Sequence, residues 1–119
     1  MNLTPKQQAV IDELRKIGRH NALMYRDSCP HLYQENLAYL AKGDPACVFR
    51  MGGLTFQIAV RLKTTAGSVL AVFKSLEKKG LVIRETRDPW YKRPLYWWPV
   101  GFAEQLHSEL NDQDGGEQP

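Results

Sequence analysis

The chain has 119 residues, enough for one domain and too short for a large catalytic fold with a separate cofactor domain. Apolar residues make up 43% and charged residues 24%, close to globular averages, which excludes a wholly disordered chain. Lysine and arginine total 16 against 13 aspartate and glutamate, but five of the acids (Glu104, Glu109, Asp112, Asp114 and Glu117) follow Val100, where no base occurs, so residues 1–100 carry a surplus of eight positive charges. A basic body with an acidic end favours a polyanionic partner, and nucleic acid is the first candidate.

The first predicted element is a helix from Pro5 to Ile17. Thr4 caps it, Pro5 suits the first helical position, Gln7 closes a capping box, and Val10, Ile11, Leu14 and Ile17 form its apolar stripe. Gly18 then stands where a left-handed terminating residue is common. Cys29-Pro30, Gly43-Asp44-Pro45 and Gly52-Gly53 break residues 19–53 into short pieces, which predicts an irregular insertion holding a helix over His31–Lys42 and a short strand over Ala46–Met51.

From Leu54 the pattern is more regular. Thr55 is placed to cap a short helix through Leu62, Lys63-Thr64-Thr65 makes a turn, and a second helix runs from Ala66 to about Lys79, where Gly80 stops it. Two helices that cross tightly need a small residue in the first, a sharp turn, and an apolar residue of the second beneath it. Ala59, Lys63 and Val69 occupy those places. Leu81–Thr86 and Leu95–Val100 read as strands of a hairpin whose tip is Arg87–Pro94. Gly101–Leu110 is a last helix with Phe102, Leu106 and Leu110 on one edge, and residues 111–119 form an acidic tail expected to be disordered for want of apolar residues.

The core stripe of the second helix of the pair is Val69, Val72, Phe73 and Leu76. At 100° per residue its outward face comprises Gly67, Ala71, Lys74 and Lys78, flanked by Ser68, Leu70 and Ser75. Between Arg61 and Arg93 nine bases (Arg61, Lys63, Lys74, Lys78, Lys79, Arg84, Arg87, Lys92 and Arg93) face only Glu77, Glu85 and Asp88, a surplus suited to neutralising phosphates. Thr64, Thr65 and Ser68 lie at the helix start, where free N–H groups can also hold a phosphate.

Ile58-Ala59, Leu62, Thr65, Ser68-Val69 and the run Leu76-Glu77-Lys78-Lys79-Gly80-Leu81-Val82-Ile83-Arg84 resemble the winged helix-turn-helix of bacterial regulators such as the MarR-like group, over residues 54–100. The resemblance implies a mostly α fold with a small β-hairpin wing and a transcriptional regulator that binds double-stranded DNA, from a bacterium, plasmid or phage. With the chain length it gives a single domain over residues 1–110 in which the 19–53 insertion has no counterpart in the family. It places the helix 66–79 in the major groove and the wing 87–94 on the backbone or minor groove, and a homodimer follows from the symmetry of a palindromic operator. The DNA-binding set is then Thr64, Thr65, Gly67, Ser68, Ala71, Lys74, Ser75, Lys78, Arg84, Arg87, Lys92 and Arg93. Gly67, Leu70 and Ala71 stand where a strong base reader carries Arg, Asn or Gln, which leaves apolar contact with thymine methyls and DNA shape as the means of discrimination. Lys63 takes a turn position where the family commonly has glycine, at a cost of roughly 1 kcal/mol. In the tip, Trp90 and Tyr91 either stack on sugar or base or fold back on Tyr96, Trp97 and Trp98.

Other readings are a winged-helix protein-interaction module docking through the Gly67, Leu70, Ala71 face, and a replication or plasmid-maintenance protein using the same fold on DNA. Cys29, His31 and Cys47, with His20 nearby, have no zinc spacing, and no nucleophile elbow, phosphate loop or catalytic Ser, His and acid set occurs. The expectation is no enzyme, no metal and no cofactor. Met1–Val10 has neither the basic nor the apolar region of a secretory signal, and no stretch approaches the ~18 apolar residues of a spanning helix, which predicts a cytoplasmic chain with reduced thiols and no membrane association.

Overall fold

The computed structural model describes residues 2–85 and 96–115. Thr4 caps the first helix as its sequence requires: Thr4 Oγ1 accepts the Gln7 N–H at 3.1 Å and the Gln7 carboxamide oxygen accepts the Thr4 N–H at 3.0 Å. This helix, α1, runs Pro5–Ser28, far past Ile17. Gly18 does not terminate it. A Cβ at that position would lie 3.0 Å from the Trp98 ring and 3.3 Å from Phe102, so the glycine is a notch that lets α1 pack closely, and the helix ends only where Pro30 follows Cys29.

Residues 19–53 are not irregular. The end of α1 is followed by α2 (Pro30–Ala41), a 3₁₀ turn (Pro45–Cys47), α3 (Val48–Met51) and a two-residue strand β1 (Gly53–Leu54). The predicted helix over His31–Lys42 is therefore present, but Ala46–Met51 is not a strand. Val48 and Met51, both fully buried, stand three residues apart, which is the spacing of a helical turn and not the alternation of a strand.

The helix pair follows as α4 (Thr55–Arg61) and α5 (Ala66–Lys78), then β2 (Val82–Arg84), β3 (Tyr96–Pro99) and α6 (Phe102–Gly115). Lys63 holds the turn between α4 and α5 at φ 56°, and Gly80 leaves α5 at φ 75°. Thr55 opens α4 without capping it, since its hydroxyl accepts the Trp97 indole N–H at 2.9 Å, while the Gln57 carboxamide accepts the Leu54 N–H at 3.1 Å. The sheet is antiparallel in the order β1-β3-β2, with Gly53 opposite Trp97 and Ile83 opposite Trp98. Helix α6 continues to Gly115, five residues into the segment expected to be disordered, because propagation of a formed helix adds one hydrogen bond for each residue fixed.

Two apolar clusters flank β3. Trp97 joins Val10, Ile11, Leu14, Ile58, Val69, Phe73 and Leu76, whereas its neighbour Trp98 joins Tyr33, Leu37, Val48, Met51, Phe102 and Leu106. Successive strand residues point to opposite faces, so the adjacent tryptophans each seat one core. The first core carries α4 and α5, and the second carries α2, α3 and α6 against the far half of α1. Helix, short strand, helix-turn-helix and two-stranded wing on a mixed α scaffold define a mostly helical winged helix-turn-helix.

Candidate nucleic-acid interface

Helix α5 is fixed from beneath and from both flanks. Beneath, Val69, Phe73 and Leu76 are fully buried, and Phe73 stacks on Trp97 at a centroid distance of 4.6 Å and an interplanar angle of 8°. On one flank Ser68 and Ser75 meet the start of α1. The Lys6 ammonium donates to Ser68 Oγ, and the Gln7 carboxamide donates to Ser75 Oγ at 2.8 Å and accepts from Lys79 Nζ at 3.1 Å. On the other flank Glu77 accepts from Nε and Nη2 of Arg84, each at 2.6 Å, and the Arg84 guanidinium lies 5.5 Å from the Trp97 ring centroid. These hydrogen bonds to Glu77 hold Arg84 more firmly protonated than usual, against the opposing effect of burial.

What remains outward is the face derived from helical spacing: Gly67, Ala71, Lys74 and Lys78 are all exposed, with Leu70 half-buried beside them. Among the described residues none of Lys63, Lys74 and Lys78 is in an ion pair. Thr64 and Thr65 are exposed at the start of α5. Thr65 Oγ1 accepts the Ser68 N–H at 3.1 Å and the Thr64 N–H reaches Ala59 O at 3.0 Å, so among the described residues the N–H groups left at this helix start are those of Thr65, Ala66 and Gly67.

Two of the twelve residues in the sequence-derived set sit elsewhere. Ser75 turns toward α1, where it both accepts from Gln7 and donates to Val72 O at 3.0 Å. Arg84 is bound into the root of the wing by Glu77. Arg61, the other arginine of the basic run, is likewise tied by Nε to Glu13 at 2.9 Å. Both arginines are thus balanced by carboxylates within the fold, and among the described residues of the basic run the charge outside ion pairs is that of lysines. The wing residues Arg87, Lys92 and Arg93 lie outside the described residues, as do Trp90 and Tyr91.

Glu13 lies between Lys16 and Arg61. Burial raises its pKa, but hydrogen bonds from Arg61 and Lys16 outweigh burial and hold the carboxyl below its ordinary value. The stabilisation it contributes is complete above its unfolded pKa and is lost as pH falls through the lower folded value. The difference in melting temperature between wild type and Glu13→Gln is therefore expected to be full at neutral pH and to shrink as pH falls below the ordinary carboxylate range, in thermal scans across pH.

Lys6 and Lys79 are exposed along the flank of this face with Gln7 buried between them, and no local pattern points to Lys6 or Gln7 there. Lys6 and Ser68 are 62 residues apart, and Gln7 had a sufficient role in the capping box. No pattern within either helix reveals that the α1 cap and the α5 flank are neighbours.

No protein-family model matches this chain, and no curated protein sequence matches it. Among solved structures, the crystal structure of the transcriptional regulator SlyA is similar over 86% of this chain and 67% of that chain, with 14% identity and a TM-score of 0.35. No helix of the described residues is long and apolar enough to cross a membrane.

Proposed function

We propose that this chain binds double-stranded DNA, with α5 in the major groove and residues 87–94 on the backbone or minor groove beside it, and that it does so as a homodimer in transcriptional regulation. One observation carries the reading: the exposed face of α5 is made of Gly67, Ala71, Lys74 and Lys78, small residues and lysines with no acid among them. A helix with its side chains is about 10–12 Å across and the major groove about 12 Å wide, so small side chains on the leading face allow deep entry while lysines meet phosphates. Gly67 and Ala71 carry no side-chain donors for base edges, so discrimination rests on thymine methyl contact and DNA shape. In a two-fold dimer the two α5 helices are expected to read half-sites about 34–36 Å apart.

A second reading, a winged-helix module that docks a protein, draws on Phe56 and Val60. They are 67% and 59% exposed and one turn apart on α4. Titration of a random-sequence duplex of about two helical turns at rising salt separates the two. A DNA binder is expected to lose affinity with a slope of about −4 or steeper in log K against log salt. A protein-docking module gives negligible duplex binding even at about 50 mM salt.

A further inference from the structure

We infer that the DNA-binding surface has a second cationic edge, formed by Lys6 of α1 and Lys79 at the end of α5, on the flank of α5 opposite the wing. The inference rests on the reading of α5 proposed above and adds two phosphate-contacting residues to it. At 100° per residue Ser68, Ser75 and Lys79 share one flank of α5, and Leu70 and Glu77 share the other. Contacts agree with this division, since Ser68, Ser75 and Lys79 meet Lys6 and Gln7 whereas Glu77 meets Arg84 of β2.

The partners of the two lysines distinguish them from the arginines nearby. Arg61 and Arg84 are paired with carboxylates, at 2.9 and 2.6 Å. Lys6 and Lys79 are instead held by a serine hydroxyl and a carboxamide oxygen, neutral acceptors that position an ammonium without cancelling its charge. Both lysines are exposed. An ammonium has three donors, so one contact to the protein leaves others for a phosphate oxygen. A helix lying in the major groove has a phosphate row along each side. On the reading proposed above, the wing serves one row, and Lys6 with Lys79 serves the row of the other strand.

The test uses the full chain, a random-sequence duplex of about two helical turns, and binding measured from about 50 to 200 mM salt. Lys6→Gln and Lys79→Gln are each expected to make the log–log salt slope shallower by about 0.9 and to weaken binding several-fold, while Lys6→Arg keeps the wild-type slope. Lys42→Gln, at the exposed end of α2, is expected to leave the slope unchanged. Melting temperatures of all four variants identify any loss of fold, and Lys79→Gln tests the edge if Lys6→Gln is destabilised. Wild-type slopes in folded Lys6→Gln and Lys79→Gln overturn the second edge and leave the α5 reading intact. Failure of the wild-type chain to bind overturns the α5 reading and the edge with it.

Discussion

Replacing Gly52 by alanine is expected to lower stability by about 3 kcal/mol or more, although the change adds one methyl group. Gly52 joins α3 to β1 at φ −79° and ψ 170°, a conformation open to any residue, so the cost is not one of backbone torsion. It is one of space. A Cβ on Gly52 would lie 2.4 Å from the carbonyl oxygen of Trp97 and 2.6 Å from that of Val48, and neither can move without pulling β3 or α3 with it. Strand β3 lies between the cores seated by Trp97 and Trp98, and α3 belongs to the second, so the shift is felt in both. Gly53→Ala is the matched comparison. Its nearest obstacle is the Leu14 Cδ1 methyl at 2.8 Å, the far end of a flexible side chain, and a cost of about 1 kcal/mol is expected. Urea unfolding of the two variants under identical conditions measures the difference. Equal and small losses would contradict the packing described at the junction of α3, β1 and β3.

The largest effect on binding is expected from Lys74→Ala combined with Lys78→Ala. Both lysines are exposed on α5 and one turn apart. Each is free of ion pairs among the described residues, so their removal exposes no buried partner and the melting temperature is expected to hold within experimental scatter. Loss of two phosphate contacts reduces the log–log salt slope by about 1.8 and weakens duplex binding by roughly tenfold or more at low salt. Arg84→Ala provides the contrast. It strips Glu77 of its partner and uncovers the Trp97 ring, so it is expected to lower stability, with a smaller change in salt slope than the lysine pair. A pair of folded lysine variants binding like wild type would remove α5 from the interface.

Much of this fold was legible because its signals are local. The Thr4, Pro5 and Gln7 capping box, the Val69, Phe73 and Leu76 stripe, and the left-handed turn at Lys63 each follow from a few neighbouring residues, and each is present. The misreadings arise where a residue's role is set across the molecule. Gly18 looks like a helix end by sequence, yet it serves the Trp98 and Phe102 rings supplied some 80 residues later. Thr55 looks like a cap, yet its hydroxyl is taken by the Trp97 indole. Within the candidate site, helical spacing found the Gly67, Ala71, Lys74 and Lys78 face because that face depends on α5 alone. It could not separate Ser75 or Arg84 from that face, since what turns them inward is Gln7 on another helix and the carboxylate of Glu77. Nor could it supply Lys6, whose place beside Ser68 exists only once α1 and α5 pack.

Backbone amide shifts recorded by NMR, as a random-sequence duplex is added to the full chain at low salt, test the central claim most directly. The expected changes centre on residues 64–68, Ala71, Lys74 and Lys78, extend to Lys6 and Lys79, and leave α2 and the pair Phe56 and Val60 unperturbed. Changes centred on Phe56, Val60 or α2, with the α5 face unmoved, would contradict it.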